Sequence, residues 1–142
     1  MAEFTRQQVL QMIAAVPVGS AIRFAGFDLT GLDLRWANLT GADLHGARLS
    51  GADFSWANLT GADFSWANLT GANLTYANLT GANLTYADLI GADLNRAKLA
   101  EAKLTRANLS DAKLKEVSLR DAIMPDGTKY DPAKHDKQYG IK

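Results

Sequence analysis

The chain has no cysteine, three prolines, only two histidines, and no excess of charge of either sign, with 15 Lys+Arg against 15 Asp+Glu. Without Cys there is no disulfide framework, no thiolate nucleophile and no Cys-based metal site. His45 and His135 stand ninety positions apart, so no spaced pair of imidazoles is on offer. The balanced charge argues against a broadly basic nucleic-acid binder and against a polyacidic chain. No run approaches the ~18 apolar residues that cross a bilayer, so no membrane span is expected. The start, MAEFTRQQ, lacks a basic region followed by an apolar one and a cleavage site. The expected address is therefore the cytosol. At 142 residues the length suits one domain.

What is present is repetition, the first thing to seek in a chain with so regular a distribution of Gly, Ala and Asn. Residues 51–60, GADFSWANLT, recur unchanged at 61–70, and GANLTYANLT and GANLTYADLI follow at 71–80 and 81–90. Beneath this decad lies a pentad. Centred on the large apolar residue, it runs from Phe24 to Met124 through twenty-one centres: seventeen Leu, Phe24, Phe54, Phe64 and Met124. Two residues before the centre stands Ala in seventeen of the twenty-one, with Ile22, Phe27, Leu32 and Val117 as the exceptions, so both registers face an apolar interior throughout.

A period of five suits neither standard element. On a helix successive centres would advance by about 140° and smear around the surface. On a flat strand an odd repeat would send alternate Leu residues to opposite faces. A chain that turns a corner once per pentad solves this: Ala and Leu, two apart, point inward, and the small polar residues and Gly take the corners. The residue two after each centre alternates between Gly (31, 41, 51, 61, 71, 81, 91) and a larger set (Trp36, Trp56, Trp66, Tyr76, Tyr86, Arg96, Arg106), with Gly46 breaking the larger set. Four pentads per coil stack like over like, whereas three would set Gly over Trp. The expected columns are Trp36/Trp56/Tyr76/Arg96 at one corner and Gly46/Trp66/Tyr86/Arg106 at the opposite one. Just over five coils at ~4.8 Å make a rod of roughly 25 Å.

From about Ile22 to Met124 the chain resembles the pentapeptide-repeat proteins, whose pattern A-[D/N]-L-x-x it meets almost unit by unit. That resemblance implies an all-β solenoid, a right-handed quadrilateral parallel β-helix, and little about activity. The identical decads resemble a consensus-engineered array or a recent duplication. Three segments are expected: a capping helix and lead-in over 1–21, the β-helix over 22–124, and a turn and tail over 125–142. Thr5 and Gln8 read as a capping box, with Phe4 and Val9 as a hydrophobic staple, before a helix from about Arg6 to Ala15 that Pro17 stops. Pro125-Asp126-Gly127 is a turn signal. The polar tail beyond it is expected to lie partly on the last coil, anchored by Tyr130 and Tyr139, and to fray toward Lys142.

Catalysis needs unlike groups brought together, and a repeat array sets like groups in rows, so no catalytic, cofactor-binding or metal-binding residue and no small-molecule substrate are expected. His45 should project outward beside Asp43 into solvent. The Asp rows at 33, 53 and 93 and at 43 and 63 are expected to cap turns rather than hold a cation. The corner set Trp36, Trp56, Trp66, Tyr76, Tyr86, Arg96 and Arg106 is the candidate interaction surface, since exposed Trp and Tyr are enriched at interfaces. The same rings stacked at coil spacing would also stabilise the rod, with Arg96 or Arg106 ending each column as a cation–π cap. A protein is thus the partner class left open, and a capped monomer is the expected state, a dimer the alternative.

The family resemblance raises one alternative function, a DNA mimic that binds a type II topoisomerase such as gyrase. B-DNA carries a negative charge every ~1.7 Å, so a 25 Å mimic calls for about 15. Residues 24–93 carry a net charge of −5 and residues 94–124 one of +3. The rod is therefore weakly charged and dipolar along its length, which speaks against mimicry and equally against nucleic-acid binding by the basic end.

Overall fold

A computed structural model describes residues 4–142. The first three residues of the expected N-terminal segment lie outside the described part. Two helices, α1 (Arg6–Ala14) and α2 (Pro132–Tyr139), stand at the ends of the stacked coils. Seventeen parallel bridges join residue i to residue i+20, from Arg23 with Asp43 to Lys103 with Ile123. That offset makes four pentads per coil, and the chain is a right-handed, four-sided parallel β-helix.

One pentad explains the frame. From Phe24 to Leu104 the N–H of the central residue donates to the next coil, as Leu74 N does to Asp93 O at 2.7 Å. The residue before it donates to the previous coil, as Asn73 N does to Ala52 O at 2.9 Å. The centre's carbonyl then accepts from the following Ala, Ala77 N to Leu74 O at 3.1 Å, closing a four-residue turn. Positive φ only at the third turn position, 58° at Tyr76, makes it a type II turn. The Asn or Asp side chain braces the corner: Asn73 Oδ1 accepts from Thr75 N at 3.0 Å and from Thr75 Oγ1 at 2.8 Å. This is why the repeat demands Asx before the centre and favours Ser or Thr after it. It is also what the Asp rows do: Asp53 and Asp63 brace Ser55 and Ser65 in the same way.

The interior is a stack of Leu and Ala, closed by Phe24 near the first coil and Met124 near the last. Phe54 and Phe64 meet edge to face across it at 5.9 Å.

α1 caps the first coil. Its capping box is formed as expected, with Thr5 Oγ1 accepting from Gln8 N and Gln8 Oε1 accepting from Thr5 N. Val9 is fully buried, and Leu10, Ile13 and Val16 pack against the core. Phe4 stacks on Phe27 at 5.3 Å. Arg6 stands in for a missing coil: its Nη1 donates to Asp33 O and to Asp33 Oδ1, the latter at 2.9 Å, and its Nη2 donates to Arg35 O at 3.3 Å. These are carbonyls that a preceding strand would otherwise satisfy.

Where the sequence leads one to expect a tail lying partly on the last coil and fraying toward Lys142, the structure places a helix there. After the turn at Pro125-Asp126-Gly127, Lys129 pairs antiparallel with Ile123, and α2 folds back onto the last coil. Asp131 caps α2 through Ala133 N, Pro132 occupies its first turn, and Gly140 ends it in the left-handed conformation at φ 64°. His135 is fully buried between Tyr130 and Tyr139, with its Nδ1 accepting from Asp131 N at 2.9 Å. Tyr130 donates to Asp136 Oδ1 at 2.6 Å, and burial, aided by that carboxylate, pushes its hydroxyl up to about 12. Even Lys142 is tied down, its carbonyl accepting from Glu116 N at 2.6 Å.

Candidate interaction surface

The corners put large side chains where the backbone resists them. Eleven residues other than glycine hold φ between 56° and 64°, Trp36, Trp56, Trp66, Tyr76 and Tyr86 among them. An L-residue in that region costs roughly 1–2 kcal/mol. Stacking offsets part of it. Trp36 lies on Trp56 at 5.0 Å, and Trp56 on Tyr76 at 4.1 Å with planes 4° apart. At the opposite corner Trp66 lies on Tyr86 at 4.2 Å. Such pairs contribute about 0.5–1.5 kcal/mol each beyond their area.

Arg96 continues the first column. Its Cζ lies 5.4 Å from the Tyr76 ring centre, Nη1 donates to the Tyr76 hydroxyl, and Nε donates to Glu116 at 2.8 Å. The hydrogen bonds it donates to Tyr76 and Glu116 raise the guanidinium further above its ordinary range. Arg106 occupies the matching place below Tyr86 but makes no ring contact among the described residues. The rings remain open to solvent: Trp36 is 69% exposed, Trp56 47%, Trp66 59%, Tyr76 37% and Tyr86 47%.

His45 is exposed, but it is not simply solvated. Its Nδ1 lies 2.9 Å from Ser65 Oγ, and Ser65 Oγ donates to Asp63 Oδ1 at 2.6 Å. The order matters. With the hydroxyl proton committed to Asp63, the imidazole donates to Ser65 instead of taking its proton, the reverse of nucleophile activation. This contact spans twenty residues, so spacing within one pentad could not reveal it; the coil period applied to His45 and Ser65 does. Among the described residues no group of three or more His, Asp or Glu could hold a metal ion. No described helix is long and apolar enough to cross a membrane.

A family profile described as pentapeptide repeats matches in eight copies, over residues 20–55, 47–85, 62–99 and 82–121. The chain belongs to the pentapeptide-repeat family. A pentapeptide-repeat protein from the cyanobacterium Cyanothece, Rfr23, is 35% identical, with 82% of this chain and 71% of that one aligned at a TM-score of 0.58. A second, from the thylakoid lumen of Arabidopsis thaliana, is 33% identical over 67% of this chain and 63% of its own, at 0.54. QnrB1, a plasmid-mediated fluoroquinolone resistance protein, is 22% identical over 72% of this chain and 67% of its own, at 0.47, a likeness too distant to speak to partners. No curated protein sequence is significantly similar.

Proposed function

We propose that this pentapeptide-repeat chain is a non-enzymatic scaffold that presents its two corner columns to a protein partner. The observation that carries this reading is the pair of exposed, pre-stacked Trp and Tyr ladders on an otherwise polar four-sided rod. Rigid aromatic surface held in one conformation loses little entropy on association, which is why such residues anchor interfaces. The rows of Asn, Asp and Thr are engaged in bracing corners, and where unlike groups do meet, at His45, Ser65 and Asp63, the serine proton is held by the carboxylate. The reading implies a monomer, because α1 and α2 cover the two ends, and a cytosolic address goes with it. The DNA-mimic alternative is disfavoured by the +3 charge of residues 94–124; protection of gyrase supercoiling by micromolar protein would restore it.

The test is a Trp56→Ser, Trp66→Ser double variant, compared with the intact protein for partner capture from host extract and for thermal unfolding. Loss of specific partners from a variant that still folds is expected. A lowered melting temperature with an unchanged partner set would reduce the ladders to internal struts.

A further inference from the structure

The two corner columns are not equivalent. In the first, Trp36, Trp56, Tyr76 and Arg96 supply a planar group on four successive coils, each lying on the next. In the second, the top rung is Gly46. Trp66 is covered from below by Tyr86, and no ring or cation is stacked on its other face among the described residues; a Cβ placed on Gly46 meets nothing within 4 Å, nor does one on Gly26, a coil higher. The consequence is visible in solvent exposure. Trp56, flanked on both sides, is 47% exposed, whereas Trp66 is 59% exposed. The backbone does not require glycine here, since Gly46 at φ 64° shares its conformation with Trp36, Trp56 and Trp66.

We propose that this missing rung is a receptor for an arginine side chain of a partner protein, its guanidinium lying on the open face of Trp66. The inference rests on the interaction-surface reading above and gives it a chemistry. Three observations select arginine. Stacked rings stand 4.1–5.0 Å apart, so the site accepts a flat group laid on the Trp66 face. The protein already uses a guanidinium as a rung, Arg96 on Tyr76. The surrounding part of the rod, residues 24–93, carries a net charge of −5.

Local charges agree with that choice. Asp43 and Asp63 lie one above the other on the face leading into this corner, and neither forms an ion pair among the described residues. Each uses Oδ1 to brace its turn, Asp43 for His45 N at 3.2 Å and Asp63 for Ser65, and Oδ2 is left for a visiting cation. The cation on the trailing face, Arg48, is drawn toward Asp28 at 3.6 Å. A planar, weakly hydrated guanidinium stacks on an indole while reaching a carboxylate, and an ammonium does not stack.

Hexa-arginine and hexa-lysine peptides are the probes, titrated calorimetrically at low salt, with the Trp66 indole N–H followed by NMR. The arginine peptide is expected to bind roughly five-fold more tightly than the lysine peptide and to shift the Trp66 resonance. Gly46→Trp, which fills the rung, should abolish that difference with little change in melting temperature, the new stack offsetting the strain of a side chain at φ 64°. Trp66→Leu should abolish it by removing the ring itself, which keeps the test decisive if the tryptophan variant folds poorly. Equal affinity for the two peptides, or an arginine preference that survives in both variants, would overturn the inference. If host partners stay bound to Gly46→Trp but are lost from the Trp56→Ser, Trp66→Ser protein, the receptor fails and the broader reading stands; if they stay bound to both, both fail.

Discussion

Each residue of the pentad has one physical job, and substitutions separate the jobs. Leu74 is fully buried, with Phe54 at the same position one coil earlier and Leu94 one coil later, both also fully buried. Leu74→Ala should cost about 2–5 kcal/mol, and Leu74→Asp more, because it buries an unpaired charge; normal urea unfolding of the aspartate variant would contradict the inward assignment. Asn73→Ala removes the acceptor for Thr75 N and Oγ1 and should cost about 1 kcal/mol per lost bond. The corner position behaves in the opposite sense. Glu101 holds φ 60° with no aromatic neighbour to offset it, so Glu101→Gly should stabilise the protein by about 1 kcal/mol in denaturant unfolding. The inward Leu and Ala were legible in the sequence because their period is strict. The left-handed corner was not, because Trp, Tyr and Arg, unlike Gly, Asn and Asp, do not signal positive φ.

At the scale of elements, the coil is the unit. Deleting residues 61–80 removes one full turn together with Trp66 and Tyr76 and leaves Trp36 on Trp56 as the one ring pair of the columns, so the near-UV circular dichroism signature should fall sharply while the core still forms. Deleting 61–65 turns every later pentad by one side and sets Gly81 under Trp56, but Trp66 and Tyr86 move together, so this protein should keep more of that signature than the other. The end helices show where sequence reading reaches its limit. α1 announced itself through Thr5, Gln8 and an apolar stripe. α2 is eight mostly polar residues, PAKHDKQY, with a single fully buried side chain, His135, and only Asp131, Pro132 and Gly140 marked its ends.

The first coils also carry a pH dependence. Hydrogen bonds from Arg35, with Arg6 adding its charge, lower the Asp33 carboxyl to about 2. A depressed folded value stabilises the folded protein above the unfolded value near 4, and that contribution is lost as pH falls from about 4 through 2. Stability in urea should therefore fall over that interval, and Asp33→Asn should be less stable at neutral pH and show a smaller step there.

For the whole molecule, balanced composition conceals a lengthwise arrangement: acids dominate the coils bearing most of the rings, and bases the coils next to α2. The ladders were legible from the ten-residue alternation and Gly46 stood out as its exception, but which rings meet depends entirely on the twenty-residue coil. Every site on the rod inherits that period, and the absence of native cysteine makes it directly measurable. Asn58 and Asn78 are bridged neighbours on adjacent coils, and parallel strands at ~4.8 Å fall within disulfide reach. The Asn58→Cys, Asn78→Cys protein should form an intramolecular disulfide on mild oxidation, while the Asn58→Cys, Asn68→Cys protein, with its thiols on opposite faces, should not. Cross-linking of the second pair and not the first would contradict the four-sided coil and the columns built on it.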